Sequence, residues 1–187
     1  MADERFSLTV RDGAVCLAPT NADDKYQHWI QDTRPGNWIR DMEGYPPFAL
    51  VNRVTGDAIS SNGDGHAVEL VLYNPCYLDA SMLWTTSRDM AHGFRCIHSL
   101  DNISMNFDAV PDGGRLCDGN RVSLSHWRQN DYMLWKIAPW CPMANDCGPQ
   151  KNLEELVPRC SEVDDGPYMG AADGAEWLPL DMLKLTS

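Results

Sequence analysis

The sequence has no long apolar run. Its hydrophobic stretches are strand-sized, well short of the roughly 20 residues that carry a helix across a bilayer. The N-terminus, Met1-Ala2-Asp3-Glu4-Arg5, lacks the basic, apolar and small-residue succession of a secretory leader, which predicts a protein of the cytoplasm and nucleus. Positive charge is also scarce: 15 Lys and Arg stand against 27 Asp and Glu, a net charge of −12. Nucleic acids and anionic membranes require a basic surface, so neither is expected as a partner. The imbalance is uneven, with nine acidic against three basic residues from Cys141 onward.

Cysteine pairing of the zinc-binding kind is missing too. The seven cysteines are irregularly spaced, Cys141, Cys147 and Cys160 form no C-x-x-C pair, and no histidine follows Ile137. The pattern suits reduced thiols better than a disulfide framework or a metal site. Asn102-Ile103-Ser104 matches a glycosylation acceptor that such a protein would not present to the machinery. No His-Glu-x-x-His helix, nucleophile elbow or phosphate-cradling glycine loop occurs. Asp64, Asp89, Asp101, Asp108, Asp112 and Asp118 could supply a carboxylate pair, yet most sit beside Gly or Asn, where turn formation explains them. No catalytic residue, cofactor or metal is therefore assigned, and an enzyme is the weaker class.

What the chain has is a repeat. Tyr132-Met133-Leu134-Trp135-Lys136-Ile137 is preceded by two versions of itself, Tyr26-Gln27-His28-Trp29-Ile30-Gln31 and Ser81-Met82-Leu83-Trp84-Thr85-Thr86. Upstream of each tryptophan lies a short apolar strand: Val15-Cys16-Leu17-Ala18, Val68-Glu69-Leu70-Val71-Leu72 and Val122-Ser123-Leu124. The second and third units add Phe48-Ala49-Leu50-Val51 with Asp57-Ala58-Ile59, and Phe94-Arg95-Cys96-Ile97 with Ile103-Ser104-Met105-Asn106-Phe107. Short strands punctuated by Gly, Asp, Asn and Pro predict an all-β fold. Three units of about four strands close most simply as a β-trefoil with Trp29, Trp84 and Trp135 in its core.

The first unit is short. Phe6-Ser7-Leu8-Thr9-Val10 and Val15-Cys16-Leu17-Ala18 give two strands before Trp29 where the other units give three, so an opening strand is expected to be missing. The exposed donors and acceptors of such a seam would invite self-association. After Trp140 no strand alternation continues. Residues 6–140 are therefore read as the trefoil domain and 141–187 as an acidic tail of low order.

Phe48-Ala49-Leu50-Val51-Asn52, Val71-Leu72-Tyr73-Asn74-Pro75, Gly93-Phe94-Arg95-Cys96-Ile97, Asn106-Phe107-Asp108-Ala109 and Tyr26-Gln27-His28-Trp29-Ile30 fall in the order seen in the Euonymus-type lectin domain. The chain resembles that family of plant nucleocytoplasmic ricin-B-like lectins from about Leu8 to Trp140. The resemblance implies a β-trefoil that binds glycans or glycoproteins, is stress-responsive and has no enzymatic activity of its own. The family's domains begin with one further strand, the same strand that the repeat count finds missing.

The resemblance also implies a site built from an acidic residue after a unit's second strand, an aromatic platform near the end of the third, and Asn-Gln ahead of the closing tryptophan. Carboxylate and amide would hold vicinal hydroxyls while the ring covers the apolar side of the sugar. In the third unit the carboxylate maps to Asp108 and the platform position to Ser125, with Trp127 two residues on and on the same strand face. The amide pair maps to Tyr132-Met133, and Asn130 and Tyr132 can replace part of its function. In the first unit Gln27 keeps the Gln-x-Trp pattern as a secondary candidate, while Arg11 stands at the carboxylate position. The second unit, with Ser60 and Ser81-Met82, offers no site. Glycan binding at a degenerate, weak site is the expected function. The alternative is a trefoil that has lost sugar binding and serves as a protein-interaction module.

Overall fold

Asp12 and Gly13 both have positive φ, 51° and 73°, the backbone of a two-residue hairpin turn that Asp and Gly accommodate best. The turn folds β1 (Phe6–Arg11) onto β2 (Ala14–Pro19), with Leu8 opposite Leu17. The structure, a computed structural model, describes residues 4–63, 65–77, 79–109, 111, 113–139 and 182–186. Within them β3 (Trp29–Asp32), β4 (Ala49–Asn52), β5 (Asp57–Ser60), β6 (Glu69–Leu72) and β7 (Trp84–Thr86) follow. Then come β8 (Phe94–Arg95), β9 (Ile97–Ser99), β10 (Met105–Ala109), β11 (Val122–His126), β12 (Trp135–Pro139) and β13 (Met182–Thr186). No α-helix occurs among the described residues, so none there could cross a membrane.

The units superimpose in register. Leu8 opposite Leu17, Ile59 opposite Leu70 and Phe107 opposite Leu124 are one position seen three times. Trp29, Trp84 and Trp135 are fully buried, and their indole N–H groups donate to the carbonyls of Leu8, Ile59 and Phe107 at 3.0, 3.1 and 3.1 Å. Phe107 meets Trp84 and Trp135 edge-on, with ring centroids 4.6 and 5.9 Å apart, an arrangement that adds to area burial. This is the threefold core of a β-trefoil, as the tryptophan recurrence predicts.

The opening strand of the first unit is present, supplied from the other end of the chain. β4 opens the second unit with Val51 between Ile30 and Ala58, and β9 opens the third with His98 between Thr85 and Asn106. Thr186 of β13 lies between Lys136 and Ser7 in the same register. Three residues earlier the match continues: Phe48 pairs with Trp84, Arg95 with Trp135, and Leu183 with Trp29. The seam expected to be open is thus filled within one chain by β13, against β12, β1 and β3. Unpaired strand edges draw in whatever strand is at hand, and here residues 182–186, expected to belong to a low-order tail, are that strand. The remainder of that tail, 141–181, lies outside the described residues. Cys16, Cys96 and Cys117 are free thiols, whereas Cys76 is disulfide-bonded, a departure from the uniformly reduced set expected.

The outward faces of the units differ. Around β4 and β5 the cross-strand row Ile30, Val51, Ala58 and Val71 is apolar and belongs to a second hydrophobic cluster. The equivalent row of the third unit is Thr85, His98, Asn106 and Ser125. The segment after β3 lays Asp41 against this row, its Oδ1 accepting from the amides of Glu43 and Tyr45 at 2.9 and 2.8 Å. Asp41 Oδ2 faces His98 Nε2 at 3.8 Å, and neither these atoms nor Thr85 Oγ1 has a hydrogen-bond partner among the described residues. Burial pushes the His98 imidazole below its ordinary value of 6.5, against the pull of Asp41 and Glu43.

Three outcomes follow for stability. Trp84→Ala is expected to cost about 3–5 kcal/mol in urea unfolding, and Trp84→Phe about 1–3 kcal/mol, the cost of leaving the Ile59 carbonyl unpaired. Leu185→Pro, in a strand flanked on both sides, is expected to cost at least about 1–3 kcal/mol through a lost ladder bond. An unchanged midpoint would show that β13 does not hold the seam. His98 titrates lower folded than unfolded, so the unfolded chain binds the extra proton first. Its contribution to stability is complete above about pH 6.5 and is lost as pH falls below that value toward the depressed folded one. Urea midpoints should fall between pH 7.5 and pH 5.5, and His98→Gln should flatten that part of the profile.

Candidate functional site

Each tryptophan is reached through one turn of 3-10 helix: Lys25–Gln27, Ala80–Met82 and Asp131–Met133. Asp24, Asp79 and Asn130 cap these turns, their Oδ1 atoms accepting from the amides of Tyr26, Ser81 and Tyr132 at 3.0, 2.9 and 3.1 Å. Short polar side chains suit such caps because they satisfy amides that the turn leaves without partners. Asn130, expected to share in sugar binding, therefore engages its carbonyl oxygen in the cap.

Gln27 is buried. Its amide donates to the Pro19 carbonyl at 2.9 Å, and its oxygen accepts from the Asn21 amide at 2.9 Å. These bonds tie β2 to the first turn and leave the glutamine a structural role. Met82 and Met133 fill the equivalent buried places. The strand register also corrects the first-unit assignment: Thr9, Ser60 and Asp108 are equivalent, facing Cys16, Glu69 and Ser123. Thr9, not Arg11, holds the carboxylate position, and the Arg11 guanidinium instead meets Asp118 at 2.8 Å. A shallow depression of about 630 Å³ over the first unit, lined by Thr9, Arg11, Asp24, Tyr26, Asp57 and Leu70, therefore has a hydroxyl where the third unit has an acid.

In the third unit Asp108 lies on β10 with only 3% of its side chain exposed, and Arg128 covers it. Arg128 Nη2 donates to Asp108 Oδ2 at 2.7 Å and to Ser125 Oγ at 3.4 Å, while the arginine side chain is 64% exposed. The carboxylate expected to receive hydroxyls is thus shielded, and the group facing solvent is a guanidinium. Ser125, the mapped platform position, is part of this arrangement as a polar neighbour. Trp127 is 50% exposed, with the Cys96 thiol near its side chain. Tyr132 is partly buried against the core and donates its hydroxyl to the Gly114 carbonyl at 2.9 Å. Asp108 and Ser125 share one strand face, Arg128 bonds to both, and Trp127 follows the end of β11. Asn130 and Tyr132 flank that face, already engaged in local bonds.

Sequence reasoning missed Arg128. Counted on from the paired residues Cys16, Glu69 and Ser123, it falls at the same offset as Asn21 and Asn74, whose side chains accept from the Asp23 and Cys76 amides at 3.0 and 3.0 Å in tight turns. A cation where the other units carry turn-forming asparagines was the available sign. Tyr73, at the position of Trp127, is buried with its hydroxyl donating to Asp32 at 2.6 Å. Of these two equivalent aromatic residues, only Trp127 presents a ring to solvent. Among the described residues no three His, Cys, Asp or Glu side chains are placed to hold a metal ion.

No family model matches the chain. Over 143 residues, 74% of its length, it is 60% identical to ricin B-like lectin R40C1 of Oryza sativa subsp. japonica, covering 41% of that protein. It is 50% identical to ricin B-like lectin R40G3 of the same plant, covering 70% of it, and 41% identical to ricin B-like lectin EULS3 of Arabidopsis thaliana, covering 45% of it. The chain thus spans less than half the length of R40C1 and EULS3. Among solved structures it is similar to the designed threefold-symmetric protein ThreeFoil, with a TM-score of 0.53, 18% identity, and coverage of 72% of this chain and 97% of that one. It is also similar to a mosquitocidal holotoxin, with a TM-score of 0.54, 16% identity, and coverage of 72% of this chain and 16% of that one. These structures share its fold. With the core, the register and the identity to R40G3 in agreement, the chain belongs to the ricin B-like lectins.

Proposed function

We propose that this chain is a glycan-binding protein of the Euonymus type and that its saccharide site is the outer face of the third unit. The observation that carries the reading is the half-exposed Trp127 next in sequence to Arg128, which forms a cluster with Asp108 and Ser125. An exposed ring covers the apolar side of a sugar, and neighbouring donors orient its polar edge. The face is shallow and offers few groups, so a monosaccharide binds no tighter than about millimolar, roughly 4 kcal/mol. Useful affinity for glycans or glycoproteins then comes from several linked sites.

A second reading is favoured by a different surface. Trp38 and Met42, in the segment between β3 and β4, are 85% and 86% exposed, and exposed apolar groups of this kind mark protein-interaction surfaces. Under that reading the trefoil is an interaction module and the third-unit face is a relic.

A glycan array followed by titration of the best ligand separates the two. Trp127→Ala is expected to weaken binding at least about tenfold, roughly 1.4 kcal/mol, with the fold unchanged because the ring is half exposed. Gln27→Ala is expected to lower the melting temperature and leave the array profile intact. A folded wild-type chain that binds nothing on the array, or binding that survives Trp127→Ala and disappears with Gln27→Ala, refutes the assignment.

A further inference from the structure

We infer that the third-unit site takes saccharides bearing a single acidic group, a carboxylate or a sulfate, and that Arg128 is the residue that receives it. The inference rests on reading this face as the glycan site and names the ligand class of that site. It follows from which group the site presents. Asp108 is desolvated beneath Arg128, and its Oδ2 is occupied by a charge-assisted hydrogen bond of 2.7 Å. With 3% of its side chain exposed, the acid offers a neutral diol almost no surface, and opening it displaces Arg128, a loss that a shallow site cannot offset.

Arg128 offers the opposite chemistry. A guanidinium has five N–H donors in a planar fork matched to carboxylate and oxyanion geometry. The bonds to Asp108 and Ser125 both use Nη2. They hold the head group while the side chain stays 64% exposed. Asp108 is then a positioning residue whose carboxylate orients the fork. Trp127, the preceding residue in the chain, is half exposed, so a ligand lying across both residues places a sugar ring on the indole and an acidic substituent on the arginine.

Local structure does not require this cation. At the two equivalent positions Asn21 and Asn74 close turns through their own side chains, which is what the backbone there calls for. The register therefore identifies Arg128 as a departure specific to the unit whose aromatic ring is also exposed. The net charge of −12 limits the ligand further. A polyanion meets long-range repulsion, whereas one acidic group can take short, charge-assisted hydrogen bonds from the guanidinium N–H groups other than the one bonded to Asp108.

The test uses the full chain and matched ligand pairs, a glucuronate-terminated against a glucose-terminated disaccharide and a 6-sulfated against an unsulfated galactoside, titrated with the Trp127 indole resonance as readout. The acidic member of at least one pair is expected to bind about tenfold or more tighter, and which pair responds tells carboxylate from sulfate. Heparin is expected not to bind. Arg128→Gln should erase the difference within the pair and Arg128→Lys should keep part of it. Asp108→Asn should preserve the acid preference, because the amide oxygen still accepts from Arg128.

Equal affinity for acidic and neutral members overturns the inference. So does tighter neutral-sugar binding in Arg128→Gln together with loss of binding in Asp108→Asn, since Arg128 would then be a plug over a carboxylate site. In both cases a loss caused by Trp127→Ala leaves the glycan-site reading standing, whereas absence of binding to any member overturns both.

Discussion

Three buried indole N–H groups, each donating to a strand carbonyl of its own unit, are the constraint on which the rest of this structure depends. An unpaired buried donor costs about 1–3 kcal/mol, so Trp29, Trp84 and Trp135 can be buried at the axis only where Leu8, Ile59 and Phe107 turn their carbonyls toward them. That requirement sets the register of the second strand in every unit. Side chains alternate along a strand, so the residue after each receiving carbonyl lies on the outer face: Thr9, Ser60 and Asp108. The bond that closes the core therefore also decides which residue stands at the head of each potential site. Only the third unit has an acid there.

The trefoil could be read from the sequence because its cause is local and repeated: an apolar strand, a capped turn and a tryptophan, three times. Asp108, Ser125 and Trp127 were named through the family resemblance, and the structure places the first two on β10 and β11 and the third just past the end of β11. Thr9, not Arg11, holds the carboxylate position because the register is set by the indole-accepting Leu8 carbonyl one residue before it, which no local sequence signal marks. Residues 182–186 could not be placed from sequence. Their role follows from pairing with β12, β1 and β3, far away in the chain, and they contain none of the tryptophan-turn pattern that marks the units. What the strand count did register was the vacancy, and the vacancy is what β13 fills.

Arg128 shows a second limit, which is electrostatic. Sequence offsets can name the residue at a site position but not the residue lying over it, and a carboxylate under a guanidinium is a different chemical object from one in solvent. Asp108 desolvated and alone would be costly. Paired at 2.7 Å with Arg128 it is tolerated, and its charge serves to hold a donor. Tyr132 and Asn130 met a similar fate: their polar atoms, free on paper to touch a sugar, are taken up by the Gly114 carbonyl and the Tyr132 amide.

The units are equivalent in backbone and unequal in polarity, and the polar row falls in the unit of the candidate site. The outward row of the second unit, Ile30, Val51, Ala58 and Val71, stabilises by apolar contact. In the third unit Thr85, His98, Asn106 and Ser125 replace it, a row of groups that costs more to bury than its apolar counterpart. Ser125, at the open end of this row, contacts Arg128, while Asp41 packs against His98 at the covered end. A repeated backbone frame with a polar row in the third unit puts the cost of burying polar groups in the unit of the candidate site, and leaves the tryptophan core and the β13 seam to hold the fold.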